Sequence, residues 1–210
     1  MAGRKTPFPI NRIEALSDGI FAIAMTILVL NISIPEKETV MRIGLHQALL
    51  LQINEFIIYF LSFFLLGIFW MIQRKQMSNL IQTDYKHMWM TIFLLMYICL
   101  VPFSASLQST YATDWLAALI FSSNMLIIGI LFLLNWHYAT KDHRLVSADI
   151  SRNDILLGKA NTWSFIFVSL VAMVAAFIIP AYSGLFFLLI PVSKFLVQRL
   201  YGIPVNNDLE

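Results

Sequence analysis

Six times along its 210 residues this chain runs through about 17 to 23 predominantly apolar positions, each long enough as a helix to cross a hydrocarbon core of about 30 Å. The runs lie near Leu16–Ile34, Ile53–Ile72, Met88–Leu107, Trp115–Trp136, Thr162–Tyr182 and Gly184–Tyr201. That recurrence predicts an all-α membrane protein with six transmembrane helices per chain. Composition agrees: 59% of residues are hydrophobic, 12% are charged, and mean hydropathy is +0.76. Residues 1–210 read as a single six-span domain, with 137–161 as a connecting loop too short for a core of its own.

The charges set the direction of the spans. Arg4, Lys5 and Arg12 precede the first run; Arg74, Lys75 and Lys86 follow the second. Lys141, Arg144, Arg152 and Lys159 follow the fourth, and Lys194 and Arg199 lie at the end of the sixth. Only Lys37 and Arg42 fall on the other side. The positive-inside rule therefore expects both termini, and the 137–161 loop, in the cytoplasm of a multi-pass cell-membrane protein. Trp70, Trp89, Trp115, Trp136 and Trp163 fall near span ends, where interfacial anchors are expected. The basic N-terminal arm resembles a signal peptide, but its apolar run is too long, carries Asp18 and lacks a small-residue cleavage site, so it reads as a retained helix. Within the loop, "SADISRNDILLGKAN" is expected to form a short surface helix capped by Ser151 or Asn153.

Several chemistries lack their residues. Phosphate-cradling glycine loops and H-E-x-x-H are absent, and the single Cys99 supports neither a disulfide nor a thiolate metal site. Asp18 and Glu55 lie near opposite faces of the membrane, so no catalytic constellation can be assembled from them, and an enzyme is not expected. A Thr-Val-Gly-Tyr-Gly carbonyl filter and the spaced arginines of a voltage sensor are also missing. No cofactor and no nucleic-acid partner is expected.

The first run, "RIEALSDGIFAIAMTILVLNISIP", is the most informative. At about 100° per residue, Ile23, Ile27, Leu30 and Ile34 fall within roughly 60° of arc, and Leu16, Gly19 and Ile20 extend that face downward. Asp18 lies about 140° from Ile23, and Glu14 about 180°. An aliphatic stripe thus opposes an acidic one, and periodicity leaves open whether the stripe faces lipid or protein. The Ser17-Asp18-Gly19 triplet sits inside apolar sequence, which favours a buried Arg12–Ser17–Asp18 cluster over a headgroup-level cap.

With those residues in view, the chain resembles the transmembrane protein 175 family in its prokaryotic form, marked by Arg-x-x-x-Phe-Ser-Asp-Gly at the first helix. Here the motif reads Arg12-Ile-Glu-Ala-Leu16-Ser17-Asp18-Gly19, followed by "IFAIAMTILVL". "FLLGIFWM", "WMTIFLLMYICLVPFSASL", "DWLAALIF" and "LLNWHYAT" continue the likeness through roughly the first two thirds of the chain. Leu16 replaces the motif's phenylalanine, Gln73 a histidine and Thr91 an asparagine, which departs from the usual interhelical polar network while leaving Arg12, Ser17, Asp18 and Gly19 in place.

The resemblance implies a potassium-permeable channel, assembled in the bilayer as a homotetramer with first helices around the pore. It also implies that aliphatic side chains form the narrowest part, at the positions matching Ile23, Ile27 and Leu30. Potassium ions would pass without fixed ligands, with Asn31 and Ser33 as candidates for the outer pore and helix-end capping as their plainer role. Gly67 is a candidate for close helix approach, and Ser122, Ser123 and Asn124 for hydrogen bonds between helices. Two rival readings are a secondary transporter, which would predict inverted repeats and polar groups at the midplane, and a noncatalytic membrane scaffold.

Overall fold

Apolar runs of this length hide their backbone polar groups from lipid only by bonding them internally, and the structure does so with helices throughout. The computed structural model describes residues 10–200. The basic residues Arg4 and Lys5, and the expected last residue of the sixth span, Tyr201, lie outside that range. The elements in order are α1 (Ile10–Leu28), α2 (Lys37–Ile43), α3 (Leu45–Leu51), α4 (Ile53–Ser78), α5 (Tyr85–Cys99), α6 (Val101–Thr110), α7 (Trp115–Thr140), α8 (Arg152–Ile178), α9 (Pro180–Ser183) and α10 (Ile190–Leu200). Among the described residues, six stretches are long and apolar enough to cross a membrane: Ile10–Asn31, Ile53–Ser78, Tyr85–Thr110, Trp115–His143, Arg152–Ile178 and Pro180–Val197.

Several boundaries differ from the periodicity reading, each for a local reason. The first helix ends at Leu28 and continues as a 3-10 turn over Val29–Asn31, so Ile34 lies beyond the helical stripe. The following connection folds into α2 and α3, separated by Gly44 at φ +83°, a conformation that glycine adopts without the Cβ penalty. The expected separate surface helix is instead the first part of α8. Ser151 caps it, its hydroxyl accepting from the Asn153 amide at 3.2 Å, and the helix runs on into the fifth span. Residues 152–161 are therefore all helix and not loop. Pro102 stands where the third span divides into α5 and α6, and Pro180 opens α9 after the fifth span ends. The sixth span passes through a 3-10 stretch, Gly184–Leu189, before α10.

Nearly every long helix contributes to the larger of two apolar clusters; the smaller, around Ile13, Met77, Trp136 and Val146, lies at the basic end. Phe21, Ala24 and Leu28 of α1 meet Leu65 and Phe69 of α4, Leu94 and Ile98 of α5, and Phe121, Met125 and Phe132 of α7. Phe69 packs edge-on against Phe165 of α8, with ring centroids 5.1 Å apart. Lipid is as apolar as these side chains, so close packing and hydrogen bonds hold the helices together. Gly129 enables a close approach of α7 and α8: a Cβ there would sit 2.7 Å from Phe165 Cδ1. Gly67, the expected approach position, has open surroundings; its Cβ would meet only Met25 Cε at 4.0 Å. Of the expected interhelical polar groups, Asn124 donates to Ser104 Oγ at 3.2 Å, while Ser122 Oγ is buried without a partner.

At the end of the bundle bearing most of the lysines and arginines, an antiparallel bridge pairs Leu80 with Val146, and Tyr138 donates to Asp84 Oδ2 at 2.7 Å. Trp136 is not the surface anchor expected of it. It is buried, its indole donates to the Ile155 carbonyl at 3.2 Å, and it occupies the space left by Gly158, whose Cβ would lie 2.6 Å from Trp136 Nε1. Trp89, Trp115 and Trp163 remain exposed.

Candidate functional site

The first helix divides its residues between two faces. Ile13, Ser17, Phe21, Ala24 and Leu28 recur at helical spacing and are buried, against α4 and the third span. Leu16, Gly19, Ile23, Ile27 and Leu30 fall on the other side and are uncovered by the rest of the chain. Ile23 is 60% exposed, Ile27 42% and Leu30 79%. A Cβ on Gly19 would touch nothing within 4 Å, so the stripe's lower end is also open.

The rotation of α1 is held by polar contacts near its basic end. The indole of Trp70, on α4, donates to Asp18 Oδ1 at 2.9 Å. The Arg74 guanidinium, one turn further along α4, lies 3.7 Å from both Asp18 Oδ2 and Glu14 Oε1. This membership differs from the expected Arg12–Ser17–Asp18 cluster. Arg12 is exposed and makes no ion pair among the described residues. Ser17 is buried, but its hydroxyl donates to the Ile13 carbonyl of its own helix at 2.8 Å. Asp18 keeps 44% of its side-chain surface within this one chain. The acid is thus an interhelical link to α4, made by residues that spacing along α1 could not reveal.

At the opposite end, Asn31 turns inward and its amide donates to the Pro102 carbonyl at 2.8 Å, tying the end of the first span to the break in the third. The exposed Ser33 offers its backbone amide to Glu55 Oε2 at 2.7 Å. Two of the three departures from the family pattern come together in space. Gln73 and Thr91 are buried and border one small cavity with His87 and Asn135. There His87 bonds to Thr83 at 3.0 Å, and Asn135 donates to the Leu131 carbonyl at 3.0 Å. The third, Leu16, lies on the open stripe.

Among the described residues no group of three or more His, Cys, Asp or Glu is placed to hold a metal ion. What the site offers chemically is an uncharged aliphatic surface on a helix locked in rotation by its other face.

The comparisons bear on the same region. A family model described as endosomal/lysosomal potassium channel TMEM175 matches residues 12–102, which include the motif, the stripe and Trp70. A potassium channel of Chamaesiphon minutus is 32% identical over 147 residues, covering 69% of this chain and 72% of that protein. A potassium channel of Streptomyces collinus is 30% identical over 138 residues, covering 64% and 66%. Among solved structures, a lysosomal potassium-selective channel TMEM175 homolog from Chamaesiphon minutus superposes with a TM-score of 0.80 at 29% identity, over 90% of this chain and 97% of that one. A variant of the potassium channel MtTMEM175 shares the fold at 15% identity, with a TM-score of 0.60 over 95% of each chain.

Proposed function

The chain belongs to the TMEM175 family, and from that premise we propose that it is a potassium-permeable channel built from four copies, each contributing α1 to a central pore. It is then a non-enzymatic protein that conducts ions passively, with residues 1–210 as one channel domain in the cell membrane. Both ends of the chain and the basic connections lie on the cytoplasmic side, following the lysine and arginine distribution.

One observation carries the pore assignment: the face of α1 holding Ile23, Ile27 and Leu30 is uncovered by the chain's own helices, while Phe21, Ala24 and Leu28 on the other face are buried. A single chain with one such helix cannot enclose a pathway, so copies must surround it. Rings of Ile23, Ile27 and Leu30 would form an apolar constriction that closes by dewetting and conducts on slight widening. Potassium holds its water less tightly than sodium and crosses such a ring at lower cost. Asp18 acts behind the pore, setting the helix rotation through Trp70 and Arg74, with Ser17 beside it bonded within its own helix, while Arg12 lies at the mouth of the helix and Gly19 widens the pathway beneath Ile23.

Thiol cross-linking tests the arrangement. In a Cys99→Ser background, Ile23→Cys places one thiol per copy at the axis, and mild oxidation should give disulfide-linked dimers within the assembled protein. A lipid-facing stripe would leave only monomers on a reducing-agent-free gel.

A further inference from the structure

Away from α1, at the basic end of the bundle, a cavity of about 210 Å³ opens between α4, α7, α8 and α10. It is smaller than the roughly 300–1,000 Å³ of a site for a drug-sized ligand, and suits a compact head group. Lys75 of α4 and Lys194 of α10 both line it, with Asp154 of α8 as the one carboxylate, so the wall carries a net positive charge. Lys194 is only partly exposed, as long basic side chains at membrane interfaces often are. The remaining polar lining is neutral. Asn161 has its Oδ1 shut off from solvent and without a hydrogen-bond partner, while Asn79 is turned to the Lys75 carbonyl at 2.7 Å.

The two lysines against one carboxylate ask for an anion in this space. We propose that this cavity binds a glycerophosphate head group, its phosphate beside Lys75 and Lys194. Two sources share that chemistry, a phosphatidylglycerol of the adjacent leaflet and free glycerol phosphate. The cavity's position at the basic end of membrane-crossing helices favours the lipid. The cavity joins α4, which packs on α1, to the fourth, fifth and sixth spans, so an occupant would brace that support.

The test uses the full chain purified in neutral detergent, with bound lipid counted by native mass spectrometry during titration with phosphatidylglycerol or phosphatidylcholine. Phosphatidylglycerol should be retained in preference to phosphatidylcholine. Lys75→Gln and Lys194→Gln should each weaken its retention by about fivefold, from about 1 kcal/mol per interfacial cation. Lys75→Arg should preserve retention, and Arg152→Gln, exposed and outside the cavity, should leave it unchanged. Displacement by millimolar glycerol phosphate would assign the site to the soluble ester, and resistance to it would assign it to the lipid. Equal retention of the two lipids, or undiminished phosphatidylglycerol binding in both folded glutamine variants, would overturn the proposal.

Discussion

Trp70 and Asp18 meet across two antiparallel helices, indole nitrogen to carboxylate oxygen, at 2.9 Å. Asp18 stands about 140° around α1 from Ile23, so this one bond on the inner side fixes where the aliphatic stripe points. Arg74 adds charge at 3.7 Å without adding a second direct hydrogen bond.

Removing the donor should loosen that setting. Trp70→Phe keeps most of the ring and loses the bond, and is expected to lower thermal stability by about 1 kcal/mol, below the ~1.5–3 kcal/mol of a buried bond to a charged group because Asp18 is nearly half exposed. If α1 lines the pore as proposed, potassium preference over sodium should fall with it, since a helix free to rotate no longer aligns the three rings of Ile23, Ile27 and Leu30. Melting of the purified protein and paired flux assays check the two effects together.

The contact between α7 and α8 should tolerate no added atom. Gly129→Ala puts a methyl 2.7 Å from Phe165 and is expected to cost about 1–3 kcal/mol through overpacking. Gly67→Ala, with its nearest neighbour at 4.0 Å, should melt within about 0.5 kcal/mol of the parent. Thermal unfolding of the two variants side by side measures the difference.

Asn31 separates a structural from a conducting role at the outer end. Its amide is engaged by Pro102, so Asn31→Leu should destabilise the protein by about 1 kcal/mol with ion preference unchanged. A changed potassium-to-sodium ratio in bilayer recordings, with stability retained, would return Asn31 to the conduction pathway.

Gly19 should report on what faces the stripe. A Cβ there would meet nothing within 4 Å and the position is exposed, so Gly19→Leu is expected to fold and melt normally. If four copies surround an axis, it should nevertheless reduce potassium flux several-fold by narrowing the pathway below Ile23. Unaltered flux would place the lower stripe against lipid.

Much of this architecture is legible in the chain because lipid imposes simple rules. A run long enough to cross must be helical, and a polar residue inside it needs a partner, which is why six spans and the importance of Asp18 can be read without coordinates. The identity of the partner cannot. Arg74 and Trp70 are remote in sequence and meet Asp18 only after α1 and α4 pack, whereas Arg12 is near in sequence and points outward. Trp136 misled for a related reason: its position near a span end suggests an interface, and only the missing side chain of Gly158 on a neighbouring helix makes an interior slot for it. The extension of α8 back to Arg152 had a visible signal in Ser151, but a cap marks where a helix starts and not whether it joins the span beyond.

The most direct test of the central claim is passive potassium and sodium flux from liposomes containing the purified protein or its Ile23→Asn variant. The account predicts potassium-preferring flux in the parent, and a variant that folds, inserts and still conducts but no longer distinguishes the two ions, because a polar ring hydrates the constriction. Unchanged selectivity in a folded Ile23→Asn protein would contradict it, placing the ion filter somewhere other than the exposed face of the first helix.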